Sequence, residues 1–574
     1  MGRFLVRILT ALALPLVGVE LVSACSSNHA TSATTTTTTT SSSASSGGTG
    51  GTGGSPGTGG SAPDPTAICK TLGLTARPFS VGPYATHRGD VADDFKVDLA
   101  DLTTWSLKEH FSGCESYVFI PDRLPVSDLD PTSIWASAGD LASLVKKSPK
   151  NVHYFFVSRQ AADADATTAI QGQQARIDAL LGKLPAADST HWKERLHVLA
   201  KKATGAGGWI SGVLGTHGRI GFSVDRLQKI RGAGDLADVT RYDDQLNAQM
   251  KWPWKWNLAY AANYPAYFNA EADLQDKLDA EGATVLQMWS GDVLMEKADT
   301  MLTLPTAAEM AKFDTLEVEV TQQCPKPDEI ELGNCGAWDY LANLSLADDP
   351  ANTVELARFI TSYHRETHWV SDVSQMLPLL ASGGQHAFRW SFAPSWNTQP
   401  TATHLALRLS SKKKGLTPKQ ATFLYAGGDF GSMYNVGRMP VSVPIPATAK
   451  KVELFVIVTG HGSGTNQCSE FCDHQHEFTV NGTKHVKDFP LAGTNDTCIP
   501  NLTNGLTPNQ AGTWWFGRGG WCPGQQVDPW IVDVTADVTP GQTATVSYRG
   551  LFAGADPPDG SGNIDLVSYL VVHE

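Results

Sequence analysis

The sequence predicts a multidomain chain, an α/β half followed by two antiparallel β-sandwiches of the jelly-roll kind. Three observations carry that reading. At 574 residues the chain is too long for a single core, so two to four domains are expected. From about residue 66 to 305, apolar strand-like runs alternate with helix-like stretches, as they do around a central sheet. From about residue 313 onward the segments are short, alternate apolar with polar, and are punctuated by Gly, Pro and Asn.

The amino terminus comes first. Arg3 and Arg7 precede an apolar run from Ile8 to Val19, and small residues lead to Ala24-Cys25-Ser26. A basic start, a short apolar core and small residues before a cleavage point make a secretory signal over residues 1–25, too short to span a membrane. The residues before Cys25 resemble a bacterial lipobox, which implies that Cys25 carries a lipid and tethers the protein to the cell envelope, the outer membrane by the absence of Asp after the cysteine. Residues 26–65 are Thr, Ser and Gly with little else, a flexible linker between lipid and folded protein. A net charge of −14 without a basic face argues against nucleic acid, and membrane contact is expected through the lipid alone. Oligomeric state has no sequence signature here.

Residues 66–305 form the α/β domain. Ser116-Tyr117-Val118-Phe119-Ile120 and Val152 to Val157 read as buried strands, 133–147 as a helix, 164–203 as a long helical stretch, and 218–224 as a strand. The opening segment, with its Trp105-Ser106-Leu107-Lys108-Glu109 phrase, loosely resembles the thioredoxin-like redoxins. That family needs a reactive cysteine just after the first apolar strand, where Pro121-Asp122 stands instead, so the resemblance implies the fold without the redox chemistry. The sandwiches are placed at 306–430 and 431–574 on strands such as 315–320, 404–409, 451–458, 543–548 and 566–572.

The nine cysteines organise the chemistry. Setting Cys25 aside leaves eight, an even number suited to disulfides formed outside the cytoplasm. Sequence order pairs Cys324 with Cys335, Cys468 with Cys472 and Cys498 with Cys522, leaving Cys69 with Cys114 by elimination. The Cys468–Cys472 ring is very small and holds Glu470, with Phe471 beside it; such a ring fixes the backbone of the carboxylate it carries. Cys335 leads into Trp338-Asp339, and the third loop carries Trp514, Arg518 and Trp521. Taken singly, Asp339 reads as a turn residue and Glu470 as a surface charge. Two carboxylates near disulfides with an arginine among tryptophans suggest a site that faces sugar.

Three segments carry a family resemblance, in the same order across residues 310–574. Cys335-Gly336-Ala337-Trp338-Asp339-Tyr340 with the following Arg358-Phe359-Ile360-Thr361, then Cys468-Ser469-Glu470-Phe471-Cys472, then Arg518-Gly519-Gly520-Trp521-Cys522-Pro523-Gly524 resemble the two jelly rolls of the bacterial peptide:N-glycosidase F family. The resemblance implies a metal-free, cofactor-free amidase that cleaves the bond between asparagine and the first N-acetylglucosamine of N-glycosylated proteins or glycopeptides. It implies that Asp339 and Glu470 are catalytic and meet in the groove between the rolls, within one bridging water, with Arg518 orienting Glu470 or binding a sugar hydroxyl. Trp338, Trp396, Trp514, Phe471 and Trp521 supply aromatic surface for sugar. The sequence departs from the family at three places: Pro394 stands where a second glutamate is expected two residues before Trp396, Tyr340 replaces an arginine, and Phe471 replaces a tryptophan.

Two further readings stand beside this one. Without the second glutamate, the groove suits a surface lipoprotein that binds glycan or protein and no longer turns it over. Paired jelly rolls are also similar to copper-dependent monooxygenases, for which His461, His474, His476 and His485 are candidates; His476 reads as structural, His474 as exposed, and no matching cluster is visible in the first roll, where His364 and His368 stand alone.

Overall fold

The all-apolar runs 116–121 and 152–157 form the centre of a five-stranded sheet. In a computed structural model that describes residues 64–122, 134–135, 138–216, 221–232, 256–326, 338–363, 365–397, 400–462, 468–494, 496–508 and 514–574, a short hairpin β1 (Lys96–Asp98) and β2 (Thr104–Ser106) precedes this sheet. The strands are β3 (Ser116–Pro121), β4 (Val152–Val157), β5 (Leu196–Val198), β6 (Phe222–Val224) and β7 (Ile230–Gly232), in the order β5-β4-β3-β6-β7. β3, β4 and β5 run parallel, and β6 and β7 antiparallel. Every residue of β3 and β4 is buried because helices cover the sheet, which is why the two strands read as unbroken apolar runs. Cys69 and Cys114 are joined in a disulfide, with Cα atoms 5.4 Å apart. The segment read as one helix over 164–203 is two helices, Asp163–Leu181 and Ala186–Lys193, followed by β5; Pro185 interrupts the first, and Leu196-His197-Val198 is too short to show a strand period.

Two jelly-roll sandwiches follow. The first consists of the sheet β13-β10-β15-β8 and the sheet β21-β12-β11-β14-β9. Its strands are β8 (Thr284–Leu294), β9 (Lys297–Thr306), β10 (Thr315–Gln323), β11 (Leu341–Leu346), β12 (Val354–Ile360), β13 (Thr367–Asp372), β14 (Gly383–Ser391) and β15 (Thr401–Ser410). The second stacks β16-β24-β18-β22 on β17-β23-β19-β20, from β16 (Pro418–Asp429), β17 (Val441–Pro444), β18 (Lys451–His461), β19 (His474–Val480), β20 (Thr483–Asp488), β22 (Trp530–Asp533), β23 (Thr543–Phe552) and β24 (Asn563–His573). β21 (Gln525–Val527) leaves the second roll in sequence and pairs with β12 of the first. The boundaries expected at 305/306 and 430/431 are therefore corrected: the first roll begins at Thr284 and the second at Pro418. β8 and β16 are edge strands with mostly exposed or half-buried residues, so their sequences lack the strong apolar alternation that marks a strand.

The rolls share apolar surface. Along β18, Val452, Leu454, Val456 and Val458 enter the core of the second sandwich, while Phe455 and Ile457 pack with Tyr569 and Val571 against the first. Both faces of this strand are dry, so its sequence shows almost no polar alternation. Arg358, 2% exposed, clamps the joint: it forms a bidentate pair with Glu355 (both 2.7 Å) and donates to Thr459 Oγ1 (2.8 Å) and the Asp565 carbonyl (2.6 Å) of the second roll.

The α/β domain is joined to this pair through the helix Trp256–Glu281. One continuous apolar cluster contains Tyr154, Tyr264, Tyr267 and Phe268 together with Leu502, Leu506, Trp514, Trp515 and Tyr363 from the sandwiches. At the helix end, Lys412 bridges Glu281 and Glu317, the latter at 2.7 Å. The signal, Cys25 and the linker, residues 1–63, lie outside the described residues. Among the described residues no helix is long and apolar enough to cross a membrane.

Candidate active site

Asp339 stands just before β11, in a segment sewn to the end of β12 by one threonine. Thr361 Oγ1 donates to the Trp338 carbonyl (2.5 Å) and accepts from Tyr340 N–H (2.8 Å), and Thr361 N–H donates to the Tyr340 carbonyl (2.9 Å). Three bonds at one residue, two through its side chain and one through its backbone, fix the Asp339 backbone between two strands. The Asp339 carboxylate accepts from the Tyr363 hydroxyl, and Tyr363 is rooted in the apolar cluster shared with the α/β domain.

Glu470 lies on the single helical turn Cys468–Phe471 after β18. Ser469 N–H donates to the Ser561 carbonyl, and the Glu470 carbonyl accepts from Gly519 N–H, both at 2.7 Å. The close approach at Gly519 admits only glycine: a Cβ there would sit 2.2 Å from His474 Nε2 and 2.5 Å from the Ser469 carbonyl. Glycine at 519 thus lets the arginine loop lie directly on the glutamate turn. Cys498 is bonded to Cys522, and Cys324 and Cys472 each take part in a disulfide; Cys335 and the Cys468 side chain, their expected partners in two separate pairs, lie outside what is described.

Arg518 brings the two acids together. Its buried guanidinium, 1% exposed, places Nη2 3.4 Å from Asp339 Oδ2 and Nε 3.4 Å from Glu470 Oε1. Nη1 donates to the Phe516 carbonyl (2.7 Å), and the group lies over the rings of Trp521 (4.9 Å) and Phe471 (5.5 Å). Trp521 is held by its indole N–H on the Gly460 carbonyl (2.7 Å) and by stacking on His461 (4.9 Å). The planar fork of arginine can address two carboxylates at once, which lysine cannot reproduce.

Burial and charge set the protonation. Burial is the main force raising the Asp339 carboxyl above its ordinary range; Arg518 and the Tyr363 hydroxyl oppose it. Burial also pushes Glu470 up to about 7, with the Asp339 charge adding to it and Arg518 pulling against it. One cation between two acids leaves one of them able to hold a proton near neutral pH. His461 is pushed down to about 3 by burial and by Arg358 and Arg518, so it is neutral against Trp521.

Trp338 and Trp396 stay half or more exposed at 53% and 68%, the first edge-on to Tyr363 and the second edge-on to Tyr340. They are the open aromatic surface beside Asp339. Trp514 is not: with Trp515 it is fully buried against the α/β domain, a correction to its expected place on sugar. Sequence reasoning missed Tyr363, which follows β12 without any periodic mark, and treated His461 only as a neighbour.

The exposed reading of His474 is also corrected. His474 and His476 both face the core of β19 and are fully buried, since alternate residues of that strand point inward. They bond to each other (2.8 Å), and His476 to the Tyr548 hydroxyl (2.8 Å). His485 bonds to Asp537 and His368 to Glu319, and His364 lies outside the described residues. Among the described residues no group of three or more His, Cys, Asp or Glu is placed to hold a metal ion.

Comparison with known proteins bears on the same half of the chain. Residues 429–571 match the family model for the C-terminal domain of peptide-N-glycosidase F. The chain is 23% identical over 278 residues to peptide-N(4)-(N-acetyl-beta-D-glucosaminyl)asparagine amidase F of Elizabethkingia miricola, covering 45% of this chain and 73% of that one. Among solved structures, a peptide-N(4)-(N-acetyl-beta-D-glucosaminyl)asparagine amidase crystal structure aligns with a TM-score of 0.42 at 18% identity, over 51% of this chain and 96% of that one. PNGF-II aligns with a TM-score of 0.38 at 14% identity, over 53% and 67%. By its sequence match, the C-terminal half of the chain is similar to peptide-N-glycosidase F.

Proposed function

We propose that the chain is an amidase that hydrolyses the N-acetylglucosaminyl-asparagine bond of N-glycosylated proteins or glycopeptides. The observation that carries this reading is the convergence of Asp339 and Glu470, one from each roll, on the single guanidinium of Arg518. Asp339 accepts a proton from a water, whose oxygen attacks the side-chain carbonyl carbon. Arg518 and the Tyr363 hydroxyl stabilise charge that builds around the acids. Glu470, protonated near neutral pH, gives its proton to the departing nitrogen as the C–N bond breaks, leaving aspartate on the peptide and a glycosylamine. Trp338 and Trp396 flank the reacting amide with open aromatic faces on which sugar rings stack. No step calls for a metal or cofactor.

A second reading is favoured by one observation. The segment Ala393-Pro394-Ser395-Trp396-Asn397 carries no acid, so a groove that binds glycan without turnover fits the same aromatic surface. Incubation with a denatured N-glycopeptide, followed by mass spectrometry, decides between them. The amidase converts the glycosylated asparagine to aspartate, and Asp339→Asn lowers that rate by about 10²-fold or more. Binding without conversion supports the second reading, and undiminished conversion by Asp339→Asn refutes the assignment of the base.

The reading extends to the cell. A signal over residues 1–25 and a lipid on Cys25 deliver the enzyme to the cell envelope, where the 26–65 linker holds it off the membrane. The α/β domain serves as a redoxin-like scaffold without thiol chemistry, a reading supported by the Cys69–Cys114 disulfide and by Pro121-Asp122 at the end of β3.

A further inference from the structure

A hydrophilic cavity of about 410 Å³ lies where the α/β domain and the helix Trp256–Glu281 meet the sheet β13-β10-β15-β8 of the first roll. None of Asp339, Glu470, Arg518, Trp338 or Trp396 lines it. Its size falls in the range of small-molecule sites, which favour junctions between domains. Glu319 and Thr321 reach it from the face of β10 opposite the Val318 and Val320 core face.

The sheet is locally reshaped at this place. The pairing of β15 with β8 shifts register between Thr403 and His404 and again between Leu405 and Ala406. His404 and Ala406 lie on the cavity face of β15, paired with Thr321 and Glu319, while Leu405 belongs to the core of the first roll, and the extra residues of the two shifts, Gly291 and Met288, lie on β8. Bulges of this kind bend a strand and occur beside binding sites. Gly291, at φ +92, makes the bend possible: a Cβ there would lie 3.1 Å from the His404 ring. Gln287 repairs the ladder by donating its amide to the Leu405 carbonyl (3.1 Å) and to the Trp289 carbonyl.

The carboxylates in the wall are matched internally, and Lys229 adds a cation to the lining. Glu319 accepts from His368 and Arg408 (both 2.9 Å), Asp225 and Glu271 pair with Arg231 (3.0 and 2.6 Å), and Glu366 pairs with Arg88 (2.9 Å). An anion entering would face four carboxylates, and a cation would compete with arginines already in place. Amide, hydroxyl and imidazole groups of Gln275, Gln323, Thr321 and His404 also line the space, beside apolar surface that includes Leu227 and Ala406. A neutral, polyhydroxylated ligand matches such a wall.

We propose that this junction is a second, non-catalytic saccharide site that takes a neutral mono- or disaccharide. The proposal stands on the cavity and the bulged strand, independently of the amidase reading. The test is N,N′-diacetylchitobiose binding to the full chain by calorimetry and saturation-transfer NMR. The Trp338→Ala/Trp396→Ala double variant removes the two open aromatic rings beside Asp339 and is expected to keep one saccharide site. Adding Gln323→Ala and His404→Ala to it removes two polar contacts and weakens that remaining binding by about tenfold or more. Gln323→Ala alone, a change at an exposed position, gives the same direction if the multiple variant fails to fold. Absence of sugar binding in the cleft variant, or binding that the cavity substitutions leave unchanged, overturns the proposal. Glycopeptide hydrolysis, retained in Gln323→Ala and lost in Asp339→Asn, separates the two sites.

Discussion

Arg518 is the residue on which the acid pair depends, because it joins Asp339 and Glu470 from two sandwiches. Replacing it with methionine keeps bulk and leaves Asp339 and Glu470 buried without their cation. Breaking a buried pair in this way costs about 3–5 kcal/mol. It also raises both acids, since Arg518 opposes burial at each. The wild-type rate of glycopeptide hydrolysis should therefore fall above about pH 7, where Glu470 loses its proton, and in Arg518→Met that limb should move to higher pH. Stability carries the same sign. The folded Glu470 keeps its proton up to about 7 while the unfolded chain releases it near 4.5, so the folded state binds more protons in between and stability falls as pH rises through that window. Glu470→Gln should flatten the fall in urea unfolding followed from pH 4.5 to 7. A limb that stays fixed in Arg518→Met, or a Glu470→Gln slope equal to wild type, would remove Glu470 as the titrating donor. Asp339, Glu470 and Arg518 were legible in the sequence because each lies beside a cysteine in a recognisable segment. Tyr363 was not, since a lone aromatic past a strand end carries no spacing signal, and Trp514 was misplaced because burial against a distant helix leaves no local mark.

At the scale of elements, the site is two turns pressed together: the Glu470 turn and the loop 516–522. Their contact is made of backbone, with Gly519 N–H on the Glu470 carbonyl and His474 closing the space below. Gly519→Ala forces a Cβ into the His474 ring and the Ser469 carbonyl, an overpacking that costs about 1–3 kcal/mol. Because Ser469 adjoins Glu470, the displacement also moves the acid, and a misplacement of about 1 Å is enough to cost about 10²-fold in rate. The measurement is kcat on a glycopeptide alongside thermal unfolding; a variant that loses stability but retains kcat would show that the glutamate is held by other contacts. Strand patterns made most of the two sandwiches readable, including β10, β15, β18 and β24. What escaped was the start of each roll. β8 and β16 lie at sheet edges and bury few side chains, so the alternation that would identify them is weak.

For the molecule as a whole, the unexpected relation is between the α/β domain and the acid site. Trp514 and Trp515 precede Arg518 in the loop closed by Cys498–Cys522, and both rings are sunk among Tyr264, Tyr267 and Phe268 of the α/β half. Tyr363, which donates to Asp339, is part of the same cluster. No local pattern could reveal this, because the partners are remote in sequence and each segment alone reads as ordinary apolar core. The arrangement makes the α/β domain a buttress for both acids, reached through Tyr363 on one side and the arginine loop on the other. Trp515→Ala leaves the acids, the arginine and the open tryptophans untouched but opens a cavity beneath the loop, at a cost of about 3–5 kcal/mol. If the buttress sets the geometry of the site, kcat for glycopeptide hydrolysis should fall even under conditions where the variant is fully folded by circular dichroism, with KM changed little because the exposed sugar-facing rings are intact. Trp515→Phe, which refills most of the space, should restore it. A folded Trp515→Ala protein with wild-type kcat would show that the α/β domain supports stability alone and leaves the acids where the two rolls put them.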